Sequence, residues 1–179
     1  MANLSDFLPL SEGGGLTPKF EEFNSSGTFT PTQALIDAGG YIDIFIVGAG
    51  SRNQSEPNGN GGEVRFKKMY LTSTSAITVT IGAGGVSNGN AGGDSVFLGS
   101  SAGGVDITAR GGQIGSWTLR HGAGWGSSSV SSPVGSGVLG YGAGATTAYG
   151  GVYNAGPNTG HGTAYYPGGS GYCLIKWYE

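Results

Sequence analysis

The sequence predicts an all-β protein: a small antiparallel β-sandwich or sheet scaffold that carries a region of packed, polyproline II-like glycine-rich spans and loops. Three observations predict it. Residues 41–47, 77–81 and 172–178 alternate apolar and other side chains with a period of two, the mark of strands with two distinct faces. Of the 39 glycines in 179 residues, 28 fall between Gly82 and Gly171. No segment shows a convincing helical period.

Taken in order, residues 1–15 read as a short apolar segment closed by a hinge. Leu4, Phe7, Leu8 and Leu10 are too few to hold a core, and Gly13, Gly14 and Gly15 uncouple them from the rest of the chain. The segment either folds back on the domain or docks into a partner, and docking is favoured. Residues 16–179 form one domain, in which strands within 16–81 and 172–179 frame the glycine-rich tract 82–171. TFTPT at 28–32 is a strand followed by a turn-rich connection. In YIDIFIV, Ile42, Ile44 and Ile46 share one face, with Tyr41, Asp43, Phe45 and Val47 on the other. Ser51 to Gly62 is a polar loop. In GEVRFKKMYLTS, Val64 and Phe66 are expected inward and Arg65 and Lys67 outward. Ile77, Val79 and Ile81 line one face of the next strand.

After Gly82 the pattern breaks into short pieces, of which SVFLGS and VDITARGG are strands between glycine turns. The closing GYCLIKWYE puts Cys173, Ile175 and Trp177 on one side and Tyr172, Leu174, Lys176 and Tyr178 on the other. A strand this apolar returns to the sheet of the first half, so the tract is one long excursion pinned at both ends. Glycine loses more conformational entropy on folding than any other residue, so the tract would by default be a flexible linker. Its many aromatic residues argue for order instead, because disordered tracts are poor in them. Extended glycine-rich spans make no internal hydrogen bonds and must find partners in neighbouring spans. A packed bundle meets that demand.

Composition excludes several functions. Charged residues make up 11% of the chain, and the net charge of −3 with scattered basic residues gives no footprint for nucleic acid. Cys173 is the single cysteine, so there is no internal disulfide, and its apolar strand setting reads as a buried small hydrophobe. No apolar run reaches the ~20 residues that cross a membrane. No basic-then-apolar leader opens the sequence, so export by a standard signal is not expected, and if the protein acts outside its cell it leaves by another route, such as lysis.

VGAGSRN at 47–53 opens like a dinucleotide fingerprint, but Asn53 stands where the third glycine belongs, and Ser55, Pro57 and Gly59 oppose a following helix. Turn glycines explain it, as they explain IGAGG at 81–85. His121 and His161 have no carboxylate or cysteine at metal-site spacing and no nucleophile motif, so neither a metal centre nor a catalytic site is expected, nor any cofactor. What the tract does offer is aromatic contact area on inter-glycine segments: Trp117, Trp125, Tyr149, Tyr153, Tyr165 and Tyr166, with Arg120 and His121. Tyrosine and tryptophan give large contact area at low entropic cost, as in antibody loops. The same rings would also serve to seal the bundle.

GTFTPTQALIDAGGYIDIFIVGAGS, GGEVRFKKMYLTS, AITVTIGAGG and a glycine tract closed by GSGYCLIKWYE follow one another in that order. Together, over roughly residues 28–179, they resemble the glycine-rich domain of bacteriophage tail-fibre proteins, related to the distal adhesins of T-even-like phages. MANLSDFLPL is similar to the N-termini of many phage fibre and tail proteins. The resemblance implies a small sheet supporting packed polyglycine II helices, whose loops contact a bacterial outer-membrane protein or surface glycan. The counterparts here are Gln113 to His121, Trp125 to Val134 and Thr146 to Tyr166. Two departures stand out: an attachment part of only about fifteen residues, and a less regular glycine tract.

The expectation is therefore a non-enzymatic virion protein of the phage tail, made in the host cytoplasm. Leu4, Phe7, Leu8 and Leu10 would dock to another fibre or baseplate protein, and the eight aromatic-segment residues would bind the receptor. A baseplate or fibre-connecting subunit is the alternative, and a polysaccharide depolymerase the third. Fibres are commonly homotrimers, but the sequence holds no coiled-coil heptads to fix a trimer.

Overall fold

The computed structural model describes residues 15–52, 59–114, 162 and 167–179. Eight strands form two antiparallel sheets of four. The first sheet comprises β1 (Pro18–Phe23), β3 (Tyr41–Val47), β4 (Val64–Tyr70) and β8 (Tyr172–Tyr178), in the order β1-β8-β3-β4. The second comprises β2 (Gly27–Phe29), β5 (Ile77–Thr80), β6 (Ser95–Leu98) and β7 (Asp106–Ala109), in the order β2-β5-β6-β7.

The faces follow the alternation. Ile42, Ile44 and Ile46 of β3 and Cys173, Ile175 and Trp177 of β8 are buried against Ile77, Val79 and Phe97 of the second sheet. Phe29 bridges the layers, with its ring edge-on to Trp177 at 5.3 Å and 6.4 Å from Phe97. Fully burying one such side chain is worth about 1.5–3 kcal/mol, so this two-sheet interior is the main source of stability. The expected return of the closing strand is realised. Strand β8 lies between β1 and β3, with Cys173 opposite both Phe23 and Ile46. Burial pushes the Cys173 thiol up to about 12, with a smaller contribution from Glu21, and leaves it an inert hydrophobe.

Two expectations need correcting. The connection after β2 contains a helix, α1 (Gln33–Asp37), capped by the Thr32 hydroxyl, which accepts from the Leu35 N–H at 3.1 Å. Gly39 and Gly40, both at positive φ, end it, and the N–H of Gly40 returns to the Leu35 carbonyl. This single turn drops Leu35 into the core. The second correction concerns β4. Phe66 pairs with Phe45 and Val64 with Val47, which places both on the outer face of the first sheet, and Phe66 is exposed. Arg65 and Lys67 share the core-side face with Ile46 and Ile44, but at the sheet edge, where they reach water.

Glu21, on the other edge strand, is opposite Ile175, and partial burial holds its carboxyl above the usual range. Charges on the core side of both edge strands discourage edge-to-edge pairing with another chain. A carboxyl whose folded pKa is raised destabilises the fold above that pKa and ceases to do so once it is protonated. Glu21→Gln should therefore raise the melting temperature at pH 7. The gain should shrink as pH falls through the raised pKa, and a melting series from pH 7 to 4 checks it.

Candidate functional site at the far end of the glycine bundle

Three connections between consecutive strands, two within a sheet and one from the second sheet to the first, each run beyond the sandwich as a pair of glycine-rich spans, one leaving and one returning. Residues 48–52 leave β3 and 59–63 return to β4; 82–85 leave β5 and 90–94 return to β6; 110–113 leave β7 and 168–171 return to β8. The first span, Gly48 to Arg52, is the axis. Its N–H groups point in turn to different neighbours: Gly48 to Glu63, Ala49 to Gly93, Gly50 to Gly169, Ser51 to Asn60 and Arg52 to Asn90, all at 2.9–3.0 Å. Positions three apart thus address the same neighbour, as a three-residue helix requires. The carbonyls of Ala49 and Gly50 accept from Gly112 and Gly85, so five spans ring the central one.

The five are linked in series by their own bonds: Glu63 N–H to Arg110, Gly92 to Gly112, Gly93 to Ala83 and Gly168 to Gly85. At the positions where spans face each other most closely there is no room for a side chain. A Cβ on Gly62 would overlap the Gly48 carbonyl oxygen, and one on Gly92 the Ala49 carbonyl oxygen. Within VGAGSRN, residues 48–52 are therefore neither a nucleotide loop nor a turn; they are the bundle's central span. The bundle also begins before the dense tract, because 48–52 and 59–63 belong to it.

At the end of the bundle away from the sheets the connections converge. Arg52 bridges to Asn90 and its Nη1 donates to the Val86 carbonyl at 2.7 Å, tying the turn at 86–90 to the axis. Gly89, at positive φ, closes that turn with its N–H on the Arg52 carbonyl. Ser51 and Asn60 are buried: the Asn60 N–H donates to Ser51 Oγ at 2.7 Å, and its side-chain amide to the Gln113 carbonyl at 2.6 Å. Gly162 lies against Gly59 and Asn60, and the Gly168 N–H reaches Gly85. The chain thus departs after Ile114 and is back at Gly162 and Pro167 beside the same end. Sequence reasoning missed Arg52, Val86 and Asn90 as members of this end. Their signal is the glycines close to them in sequence, Gly48 and Gly50 before Arg52, Gly84 and Gly85 before Val86, and Gly92 and Gly93 after Asn90, which suit a loop equally well.

The proposed receptor-binding residues Trp117, Arg120, His121, Trp125, Tyr149, Tyr153, Tyr165 and Tyr166 lie outside the described residues, as do Leu4, Phe7, Leu8 and Leu10. What is described is the frame from which the former depart. Glu63, Asp94 and Arg110 lie at the sheet end of the frame, and Arg52 is the cation among its described tip residues. Among the described residues no three histidine, cysteine, aspartate or glutamate side chains group as a metal site, and no helix is long and apolar enough to cross a membrane.

A two-sheet support with a glycine bundle projecting from it defines a β-protein built to hold chain connections at one end. The family model described as a glycine-rich domain matches residues 24–178, and the chain belongs to that family. Neither the curated proteins nor the solved structures compared with it give a match.

Proposed function

We infer that this chain is a bacteriophage tail-fibre or tail-tip protein that recognises the host cell surface without catalysis. The observation that carries the reading is the convergence of connections: residues 53–58, the turn at 86–90 and the long excursion after Ile114 all begin and end at one pole of a rigid bundle. A scaffold that holds variable connections at one pole is a recurrent way to build a binding surface. The longest connection carries the tryptophans and tyrosines suited to contact. In this reading the protein resides in the virion tail, its N-terminal segment engages another fibre or baseplate protein, and its target is a bacterial surface protein or glycan.

The experiment is binding of the purified, fluorescently labelled chain to a panel of bacterial cells, with competition against the phage that carries it. Saturable binding that blocks adsorption is expected. Alanine at Trp117, Trp125 and Tyr165 together should weaken attachment by about 100-fold, since a few aromatic anchors carry most contact energy, each worth at least ~1 kcal/mol. Circular dichroism should show the fold unchanged. A folded, soluble chain that binds no cells would overturn the reading in favour of a connecting subunit.

A further inference from the structure

The outer face of the first sheet carries an unusual load of rings. Its central cluster, Phe45, Val47, Tyr172 and Leu174 with Val64, draws every member from this one sheet. Around it Phe20, Phe66 and Tyr70 are 68%, 57% and 64% exposed, on strands β1 and β4. Phe66 stacks obliquely on Phe45 at 4.8 Å and Tyr70 meets Tyr41 edge-on at 5.2 Å. Between the rings lie Lys176 and Lys68, the latter 3.5 Å from Asp43. The exposed apolar area thus lies at the margins of the face, around a buried centre, with charges of both signs among the rings: Lys68 and Lys176, Asp43 and Glu22.

We propose that residues 1–12 of the same chain dock on this face, laying Leu4, Phe7, Leu8 and Leu10 against Phe20, Phe66 and Tyr70. The point of departure favours this occupant. Thr17 exchanges two backbone hydrogen bonds with Glu179, so the chain meets β1 beside Tyr178, at one margin of the face. Gly15 precedes it at φ +65°, a left-handed conformation in which the chain can turn back, and nothing crowds it. Reach is ample: twelve extended residues span up to ~40 Å, while four strands are ~15 Å across. A second copy is the rival occupant, but the segment is tethered at the margin of the face and needs no association to reach it. A virion partner that takes up the segment would then compete with the protein's own sheet for the same four side chains.

Amide exchange of the full chain, followed by mass spectrometry, tests this independently of what the tip binds. Amides of residues 3–10 should exchange at least about tenfold more slowly than in a synthetic peptide of the same sequence. Phe66→Glu with Tyr70→Glu should return them to the peptide rate while β3 and β8 stay protected. Phe7→Ser with Leu8→Ser reaches the same contact from the segment side and alters no residue of the sheets, so it should do likewise. Exchange at the peptide rate in the unmodified chain would overturn the proposal, as would protection that survives both variants. Protection that disappears on dilution together with a dimer mass would assign the face to a second copy instead.

Discussion

Replacing Gly92 with alanine is expected to lower the unfolding free energy by about 3 kcal/mol, at the upper end of what overpacking costs. The added methyl would overlap the Ala49 carbonyl oxygen, which is backbone and cannot rotate away. Moving span 90–94 outward instead stretches the bonds from Ala49 to Gly93, Gly92 to Gly112 and Gly93 to Ala83, each worth about 1 kcal/mol. Either way the loss is a large part of the ~5–15 kcal/mol that holds a typical domain together. Gly89→Ala is the control. Nothing stands near that position, but its φ of +80° costs an L-residue about 1–2 kcal/mol. Urea denaturation of both variants, followed by circular dichroism, checks the ranking. Equal losses would mean that backbone strain, rather than close approach between spans, sets the demand for glycine.

Trp177→Ala should cost about 4 kcal/mol, because it opens a cavity between the sheets where the ring meets Phe29. The indole also ties down the chain beyond it: its Nε1 donates to Glu179 Oε2 at 3.1 Å, and the same carboxylate accepts from the Thr32 hydroxyl that caps α1. These bonds, Thr32 first, hold the Glu179 carboxyl below its usual range. Trp177→Phe keeps most of the packing and loses only the N–H, so it should cost roughly 1–2 kcal/mol. Thermal melts of the two variants separate packing from hydrogen bonding. A phenylalanine variant as unstable as the alanine one would place most of the energy in the Glu179 cluster.

How much of this is legible in the sequence depends on whether a residue's side chain carries the information. Ile42, Ile44 and Ile46, and Cys173, Ile175 and Trp177, announce their common face because a period of two survives any tertiary context. Phe66 is misplaced by alternation because both faces of β3 are apolar, so the pattern in β4 does not say which face it joins; only its register opposite Phe45 does. Helix α1 has its signals, Thr32 before it and Gly39 and Gly40 after it, but five residues are too few to show a helical period. Glycine has no side chain to mark its neighbour. That the Gly50 N–H bonds Gly169, or that Ala49 bonds Gly93, is a matter of backbone geometry alone. The aromatic residues proposed to make contact stand out by type, whereas the common pole that flanks their segment emerges only when the spans are traced.

The central position of β8 has a consequence for how the protein is made. Val47 pairs with Val64 on one side and with Tyr172 on the other, so β3 gains its second partner only after everything between has been translated. A ribosome that stops before Tyr172 releases a chain whose Ile42, Ile44 and Ile46 have no β8 beside them and whose axial span lacks the Gly169 carbonyl. Such distant pairing folds slowly, because the loop must close before its contacts form. Translation thus imposes an inspection: a copy terminated before Tyr172 should lack the central strand of the first sheet and be more open to proteolysis than one that carries β8.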